Sequence, residues 1–370
     1  MNITIMQSSD ATFYHSMLME TSRTVRQYCL TYGIRYEMFV GVKRGTMPWH
    51  STYNRAYMLK EMLDRRVQGW VIYLDADAFI VDQDFSIRDF LADKSGLAGI
   101  FAGYCEPGKP YSVNAGGFAI NLSHPVGVAI ALEYWREVES IPDGQFNSSL
   151  KWGKEIEDDQ GMLVRILERY YADTSLRGTL LFEESNSSHV NNGDFVRQAL
   201  RSGHHNFGSR KGSIKQRVDE LAATYTQYNE DLDPGFFVEA SHPKLHTAVG
   251  RKDGNAIRST GLPGTLIYGP YVDLAPGRWL IRILGQVFAR EDGNGATYHS
   301  DVAADLGRRL LDVRDYVGAG PMLGTIAEHM ISLDAPAIGV EARLNIDAGE
   351  NIDVHAVHIT SLEDWVDKDA

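Results

Sequence analysis

Trp70-Val71-Ile72-Tyr73-Leu74-Asp75-Ala76-Asp77-Ala78-Phe79-Ile80-Val81 is the stretch on which the fold turns. Its first five residues are continuously apolar, the pattern of a strand covered on both faces of a parallel sheet. Two carboxylates follow at once, Asp75 and Asp77, separated by one alanine. In open α/β sheets, ligands gather beyond the carboxyl ends of the strands. Paired carboxylates at such an end can converge on one hard cation, Mg²⁺ or Mn²⁺, and leave coordination positions for phosphate. A D-x-D spacing alone is equally what a solvated acidic loop offers. The apolar strand before it and Phe79-Ile80-Val81 after it favour the cation.

Upstream, residues 3–7 alternate weakly and end in the polar loop Gln7-Ser8-Ser9-Asp10. Residues 14–32 carry Met17, Leu18, Val25, Tyr28 and Cys29 at helical spacing, and Gly33 ends that helix. Residues 36–40 read as a second strand, and 52–66 as a second helix with Tyr57, Leu59, Met62 and Leu63 inward. This β-α-β-α-β order predicts an α/β sheet with right-handed crossovers. Downstream, 97–102 and 117–120 read as strands, and 124–139, 159–171 and 213–228 as helices.

The texture changes near residue 250, where Gly250 to Asn255 and Gly261-Leu262-Pro263-Gly264 read as a linker. Beyond it, 265–268, 279–284, 324–333, 337–346 and 352–359 are short strand-like segments separated by turns such as Asp347-Ala348-Gly349. That rhythm predicts an antiparallel β-sandwich of about a hundred residues.

Bulk properties agree with two globular domains: 370 residues, of which 44% are hydrophobic and 23% charged. A net charge of −13 excludes a nucleic-acid surface, which needs clustered Lys and Arg. Cys29 and Cys105 are too few for a disulfide framework or a metal knuckle and read as buried thiols of a reducing compartment. Met1 leads directly into a strand, with no secretory h-region, and no apolar run is long enough to span a bilayer. A cytoplasmic protein without a transmembrane segment is therefore expected.

The 70–81 stretch resembles the D-x-D strand of retaining GT-A glycosyltransferases. The resemblance is to the group of glycogenin and the lipopolysaccharide α-galactosyltransferases, and to that of galactomannan galactosyltransferases and xyloglucan xylosyltransferases. Three further motifs follow in order. Asn114-Ala115-Gly116-Gly117-Phe118 resembles the segment lining the donor sugar, Asp159-Gln160 the pair beneath the reacting sugar, and His205 to Lys211 the H-x-x-G-x-x-K motif. Arg55 resembles a donor-contacting arginine. The resemblance covers roughly residues 1–230. The proline that follows the motif's lysine is Gly212 here, and Gln7-Ser8 is a loose match to the nucleotide-binding loop.

The resemblance implies a GT-A, Rossmann-like catalytic domain with a mostly parallel sheet over 1–250. The change of texture gives a linker over 251–262 and a β-sandwich over 263–370, in which 264–271, 274–277 and 279–282 resemble the strand–turn–strand pattern of jelly-roll modules found beside glycan-building enzymes. The glycosyltransferase resemblance implies that Asp75, Asp77 and His205 hold Mn²⁺ or Mg²⁺. Donor contacts fall to Gln7, Ser8, Arg55, Asp75, Ala76, Asn114, Ala115, Gly116, Gly208 and Lys211, and catalysis to Asp159 and Gln160. The substrates implied are a nucleotide-sugar, UDP being the family's usual nucleotide, and a carbohydrate or glycoconjugate acceptor. Retention of configuration is implied, by front-face substitution or by double displacement with Asp158 or Asp159 as nucleophile. Trp49 and Trp152 lie in loops suited to an acceptor platform. For the sandwich, acceptor recognition and subunit contact within a homo-oligomer are the two roles open. Two other classes are a haloacid-dehalogenase-like phosphatase, in which the first Asp of D-x-D is the nucleophile, and a non-catalytic nucleotide- or sugar-binding protein. Against the phosphatase, the D-x-D lies in the third strand and Phe79 stands where Thr or Val is usual. Asp159-Gln160 and Lys211 would be superfluous in a mere binder.

Overall fold

A computed structural model describes residues 1–10, 13–199, 207–222, 235–254, 256–290, 293 and 295–362. The chain divides into two compact units, Met1–Phe39 with Trp49–Asp233, and Val40–Pro48 with Pro234–Ala370.

The first unit alternates strands and helices as the periodicity predicts. β1 (Ile3–Ser9), α1 (His15–Tyr32), β2 (Arg35–Val40), α2 (Asn54–Asp64) and β3 (Trp70–Asp75) come first. Gly33 ends α1 in the left-handed region, φ 58°, where a residue without Cβ carries no penalty. β4 (Ala78–Ile80), α3 (Ile87–Ala92), β5 (Gly99–Gly103), β6 (Gly117–Asn121), α4 (Pro125–Glu139) and α5 (Asp143–Ser148) follow. Then come α6 (Asp159–Ala172), β7 (Leu180–Glu184), β8 (Val196–Gln198) and α7 (Phe207–Ala222). Six strands form one sheet in the order β2-β1-β3-β6-β5-β7.

β1 and β3 run parallel from Ile3↔Trp70 to Ser8↔Asp75, so both end at the same level, and the D-x-D follows there. Trp70 to Leu74 are all buried, as a strand inside a two-layer covering requires. The sheet is mixed: β1, β3, β5 and β7 share one direction, and β6 runs against both its neighbours, β3 and β5. The link from β5 to β6, residues 104–116, contains no helix, and a parallel return needs a crossover. α7 begins at Phe207, ahead of the expected 213, and residues 223–228 lie outside the described residues. Cys29 is buried, but Cys105 is exposed in the loop after β5. No helix among the described residues is long and apolar enough to cross a membrane.

The second unit is all β. β9 (Gly235–Glu239), β10 (Gly250–Asp253), β11 (Ala256–Ser259), β12 (Gly264–Ile267), β13 (Pro270–Leu274) and β14 (Gly277–Val287) precede β15 (Ala296–Ala304). β16 (Arg309–Ala319), β17 (Met322–Leu333), β18 (Ala337–Ile346) and β19 (Ile352–Ser361) complete it. One sheet runs β10-β11-β19-β14-β17, with β9 also on β19, and the other β12-β18-β15-β16, with β13 also on β18. A single core holds Ile281, Ile283 and Val357 of the first together with Leu266, Val302 and Leu344 of the second. This is the expected sandwich. The stretch 251–262 is no linker, since β10 and β11 form a hairpin in it and β11 pairs β19. Besides Val40–Pro48, the unit takes in the chain from Pro234 and not from 263, because β9 also pairs with β19.

Candidate functional site

The site forms where β3 ends. Gln7, wholly buried on β1, donates its carboxamide to the carbonyls of Asp75 (3.1 Å) and Ala78 (3.0 Å) and accepts the Tyr36 hydroxyl (2.9 Å). It braces the turn that presents the acidic pair. Ser8 is likewise buried, its hydroxyl 3.0 Å from that of Tyr73. Thr21 donates to the Ala76 carbonyl at 2.8 Å. Past the turn, β4 pairs antiparallel with β8, aligning Ala78 with Gln198, and Ala199 N–H donates to the Asp77 carbonyl at 3.0 Å. That short ladder sets Gln198 beside both carboxylates.

Arg55 enters from the start of α2 and is 3% exposed. Its Nη2 meets Asp75 Oδ1 at 2.7 Å and its Nη1 meets Asp159 Oδ2 at 3.2 Å. Nη1 also donates to the Ala115 carbonyl, Nε donates to the Thr52 carbonyl at 2.9 Å, and the guanidinium lies 4.7 Å from the Tyr73 ring centre. One fixed fork therefore joins α2, the end of β3, the loop before β6 and the start of α6. Burial pushes the Asp75 carboxyl above the usual carboxylate range; Arg55 opposes that, and the neighbouring Asp77 adds to it. Asp159 is raised by burial as well, with Arg55 pulling it back down. The Arg55 guanidinium is held charged by Asp159 and Asp75 against its own burial.

A polar wall completes the site. Gly116 N–H donates to Asn114 Oδ1 at 2.8 Å, and Asn114 Nδ2 donates to Gln198 Oε1 at 3.2 Å. Gln198 Nε2 then donates to Asp75 Oδ2 at 3.2 Å and to Asp77 Oδ1 at 3.0 Å. A Cβ on Gly116 would lie 2.4 Å from Gln198 Nε2, so a side chain here would push the carboxamide out of its place. Ala115 N–H donates to Gln160 Oε1 at 3.2 Å, and Trp152, half exposed, donates its indole N–H to Asp159 Oδ1 at 3.3 Å. Asp158 caps α6, accepting Gly161 N–H at 2.8 Å.

Arg55, Asp75, Asp77, Asn114, Ala115, Gly116, Asp159 and Gln160, distant in the sequence, thus meet in one network. Gly208 and Lys211 fall in the first turns of α7. His205 lies outside the described residues. Trp49 packs on His50 and Tyr53, a structural place, whereas Trp152 borders the site. Gln198 escaped the sequence reading, because only the β4–β8 pairing brings it to the carboxylates. The donor set suits a hard divalent cation: Asp75 and Asp77 supply carboxylate oxygens close enough to share a single donor nitrogen. Among the described residues no group of three His, Cys, Asp or Glu side chains completes a metal cluster.

No family model and no curated protein matches the chain. Among solved structures, 58% of it is similar to the whole of a glycosyltransferase involved in glycosylation of the major capsid of PBCV-1, at 13% identity and a TM-score of 0.42. A share of 34% of the chain is similar to 99% of the C-terminal family 6 carbohydrate-binding module of a laminarinase from Zobellia galactanivorans, at 16% identity and a TM-score of 0.25. A carbohydrate-binding module of a Cellvibrio mixtus lichenase is similar over the same share, 34%, at 12% identity and a TM-score of 0.24. Likenesses of this degree leave the chain's activity to be argued from its own residues.

Proposed function

We propose that the chain is a metal-dependent glycosyltransferase that takes a sugar from a nucleoside-diphosphate sugar and delivers it, with retention, to a hydroxyl of a carbohydrate or glycoconjugate. The observation that carries the reading is the joining of Asp75 and Asp159 on the Arg55 guanidinium, with Asp77 drawn to the same point through Gln198. Such a site has a cation-binding face and a sugar-binding face that share one arginine.

In this reading Asp75, Asp77 and His205 hold Mn²⁺ or Mg²⁺, which offsets charge on the departing diphosphate. Lys211 assists from α7. Asp159 keeps an unused lone pair on each oxygen beyond Arg55 and Trp152, enough to accept sugar hydroxyl protons. Asn114 and the Ala115–Gly116 backbone line the donor, and Gln160 lies beneath it, fixed through Ala115 N–H. A front-face route fits better than double displacement. Asp158 is engaged as a helix cap and Asp159 as a partner of Arg55 and Trp152, so neither is arranged as an attacking nucleophile. UDP is the nucleotide to try first.

Nucleotide-sugars screened for nucleoside-diphosphate release, with Mn²⁺ and with EDTA, test this. Release by one donor, dependent on Mn²⁺ and lost in Asp77→Ala, is expected. Undiminished release by Asp77→Ala in EDTA would sink the proposal. The anomeric configuration of the product, assigned by NMR, decides retention.

A further inference from the structure

We propose that Gln198 is a positioning residue that occupies the meeting point of Asp75 and Asp77 and must withdraw before a divalent cation can settle there. The inference rests on the reading of those two aspartates as cation ligands. It comes from the direction of the hydrogen bonds.

The orientation of the Gln198 carboxamide is determined from both ends. At one end, the backbone N–H of Gly116 can only donate, so the group facing it at 2.8 Å is Asn114 Oδ1. Asn114 then turns its Nδ2 to Gln198, at 3.2 Å, and Asn191 Nδ2 approaches the same oxygen at 3.3 Å. Two donors therefore face Oε1. At the other end, ionised carboxylates can only accept, so Nε2 faces Asp75 Oδ2 and Asp77 Oδ1. Both hydrogens and both lone pairs of the carboxamide are in use.

An amide nitrogen cannot ligate a metal, and its hydrogens are directed at the lone pairs a shared cation would take. Turning the amide over would bring Oε1 to the cation. It would also set Nε2 against the Nδ2 donors of Asn114 and Asn191, and Asn114 cannot reverse without opposing Gly116 N–H. So Gln198 competes with the cation while holding the two carboxylates together. The missing Cβ of Gly116 gives the carboxamide its room.

The test is Mn²⁺ affinity without any nucleotide, read by electron paramagnetic resonance of free Mn²⁺, on wild type, Gln198→Ala, Gln198→Glu and Asp77→Ala. Gln198→Ala is expected to bind Mn²⁺ about tenfold more tightly, since the hydrogen bonds to charged groups no longer compete. Gln198→Glu places a third carboxylate where Nε2 lies and keeps an acceptor for Asn114 and Asn191. It should bind more tightly still, and its melting temperature should fall in EDTA and recover with Mn²⁺ by more than that of wild type. Unchanged or weaker binding by Gln198→Ala would overturn the proposal, marking Gln198 as an organiser or a ligand instead. Should Gln198→Ala not fold, a Gln198→Glu protein with wild-type affinity and a wild-type response to Mn²⁺ overturns it equally. Asp77→Ala separates the two levels. If it binds Mn²⁺ as wild type does, the metal site itself is wrong; if it loses Mn²⁺ while the Gln198 variants match wild type, only the role of Gln198 is wrong.

Discussion

Arg55 carries the charge balance of the site, and removing it should cost stability before any question of activity arises. Asp159 is 3% exposed and meets the guanidinium at 3.2 Å, so an alanine at position 55 would strand a buried carboxylate. Breaking a buried pair from one side costs about 3–5 kcal/mol. Arg55→Ala is expected to lower the unfolding free energy by that amount, read as a lower urea midpoint at an unchanged slope, with Arg55→Lys in between, because an ammonium cannot span two carboxylates and a carbonyl. A loss for Arg55→Ala below about 1 kcal/mol would mean the pair adds no net stability. His329 makes the second prediction. It is fully buried, Nε2 2.8 Å from Ser300 Oγ and Nδ1 3.0 Å from Asp312 Oδ2. Burial lowers its pKa from the ordinary imidazole value despite the pull of Asp312. As pH falls, the unfolded chain therefore takes up this proton before the folded chain does. The stability it confers is complete above about pH 6.5 and is lost below that as pH falls toward the lowered value. Melting temperatures from pH 8 to pH 5 should fall less steeply for His329→Gln than for wild type; parallel curves would refute the assignment.

Elements announced themselves where local chemistry and burial agree. Helix α4 has Pro125 at its first position and His124 Nδ1 accepting Val126 N–H at 3.2 Å, and the sequence places its start within one residue. Residues 159–171 were readable for the same reason: Asp158 caps α6, and Met162, Leu163 and Ile166 turn inward. The cap predicts that Asp158→Ala costs about 0.5–2 kcal/mol, while Asp158→Asn, which still accepts from Gly161 N–H, costs little. Chemical denaturation measures both; equal losses would show that the carboxylate acts through its charge and not as a cap. Strands without such agreement were not legible. β8 is three residues long, too short to show a period. β15 buries Ser300 and Asp301, and β16 exposes Leu310 and Val317, so neither alternates cleanly. The site divides in the same way. Asp75, Asp77, Asn114, Asp159 and Gln160 stand at strand ends, in a loop or at a helix start, which composition reveals. Gln198 meets Asp75 across 123 positions through the β4–β8 pairing, and nothing local marks it.

At the scale of the whole molecule, the chain passes from one unit to the other at Phe39/Val40, Pro48/Trp49 and Asp233/Pro234, so no single cut yields two complete units. Gly324 shows how the short piece belongs to the second unit. Its φ is +136°, and a Cβ there would lie 2.6 Å from the Val42 carbonyl oxygen and 2.8 Å from the Val42 nitrogen. Gly324→Ala must therefore displace that backbone and strain its own, at an expected cost of about 1–3 kcal/mol, whereas Gly320→Ala, with open space around it, should be nearly neutral. Truncation follows from the same division. A chain ending at Gly250 keeps β9 but deletes β19, which pairs it from Glu239↔Ala356 to Gly235↔Thr360. An unpaired strand edge is a template for association. A chain ending at Asp233 deletes β9 together with its partner, and leaves only the Val40–Pro48 piece without its unit. By size-exclusion chromatography with light scattering, the longer fragment should be the more aggregated of the two. The shorter one should be monodisperse, and protease should cut it first within 40–48. Equal dispersity of the two fragments would show that β9 does not depend on β19. Protection of 40–48 in the shorter fragment would show that this piece belongs with the first unit after all.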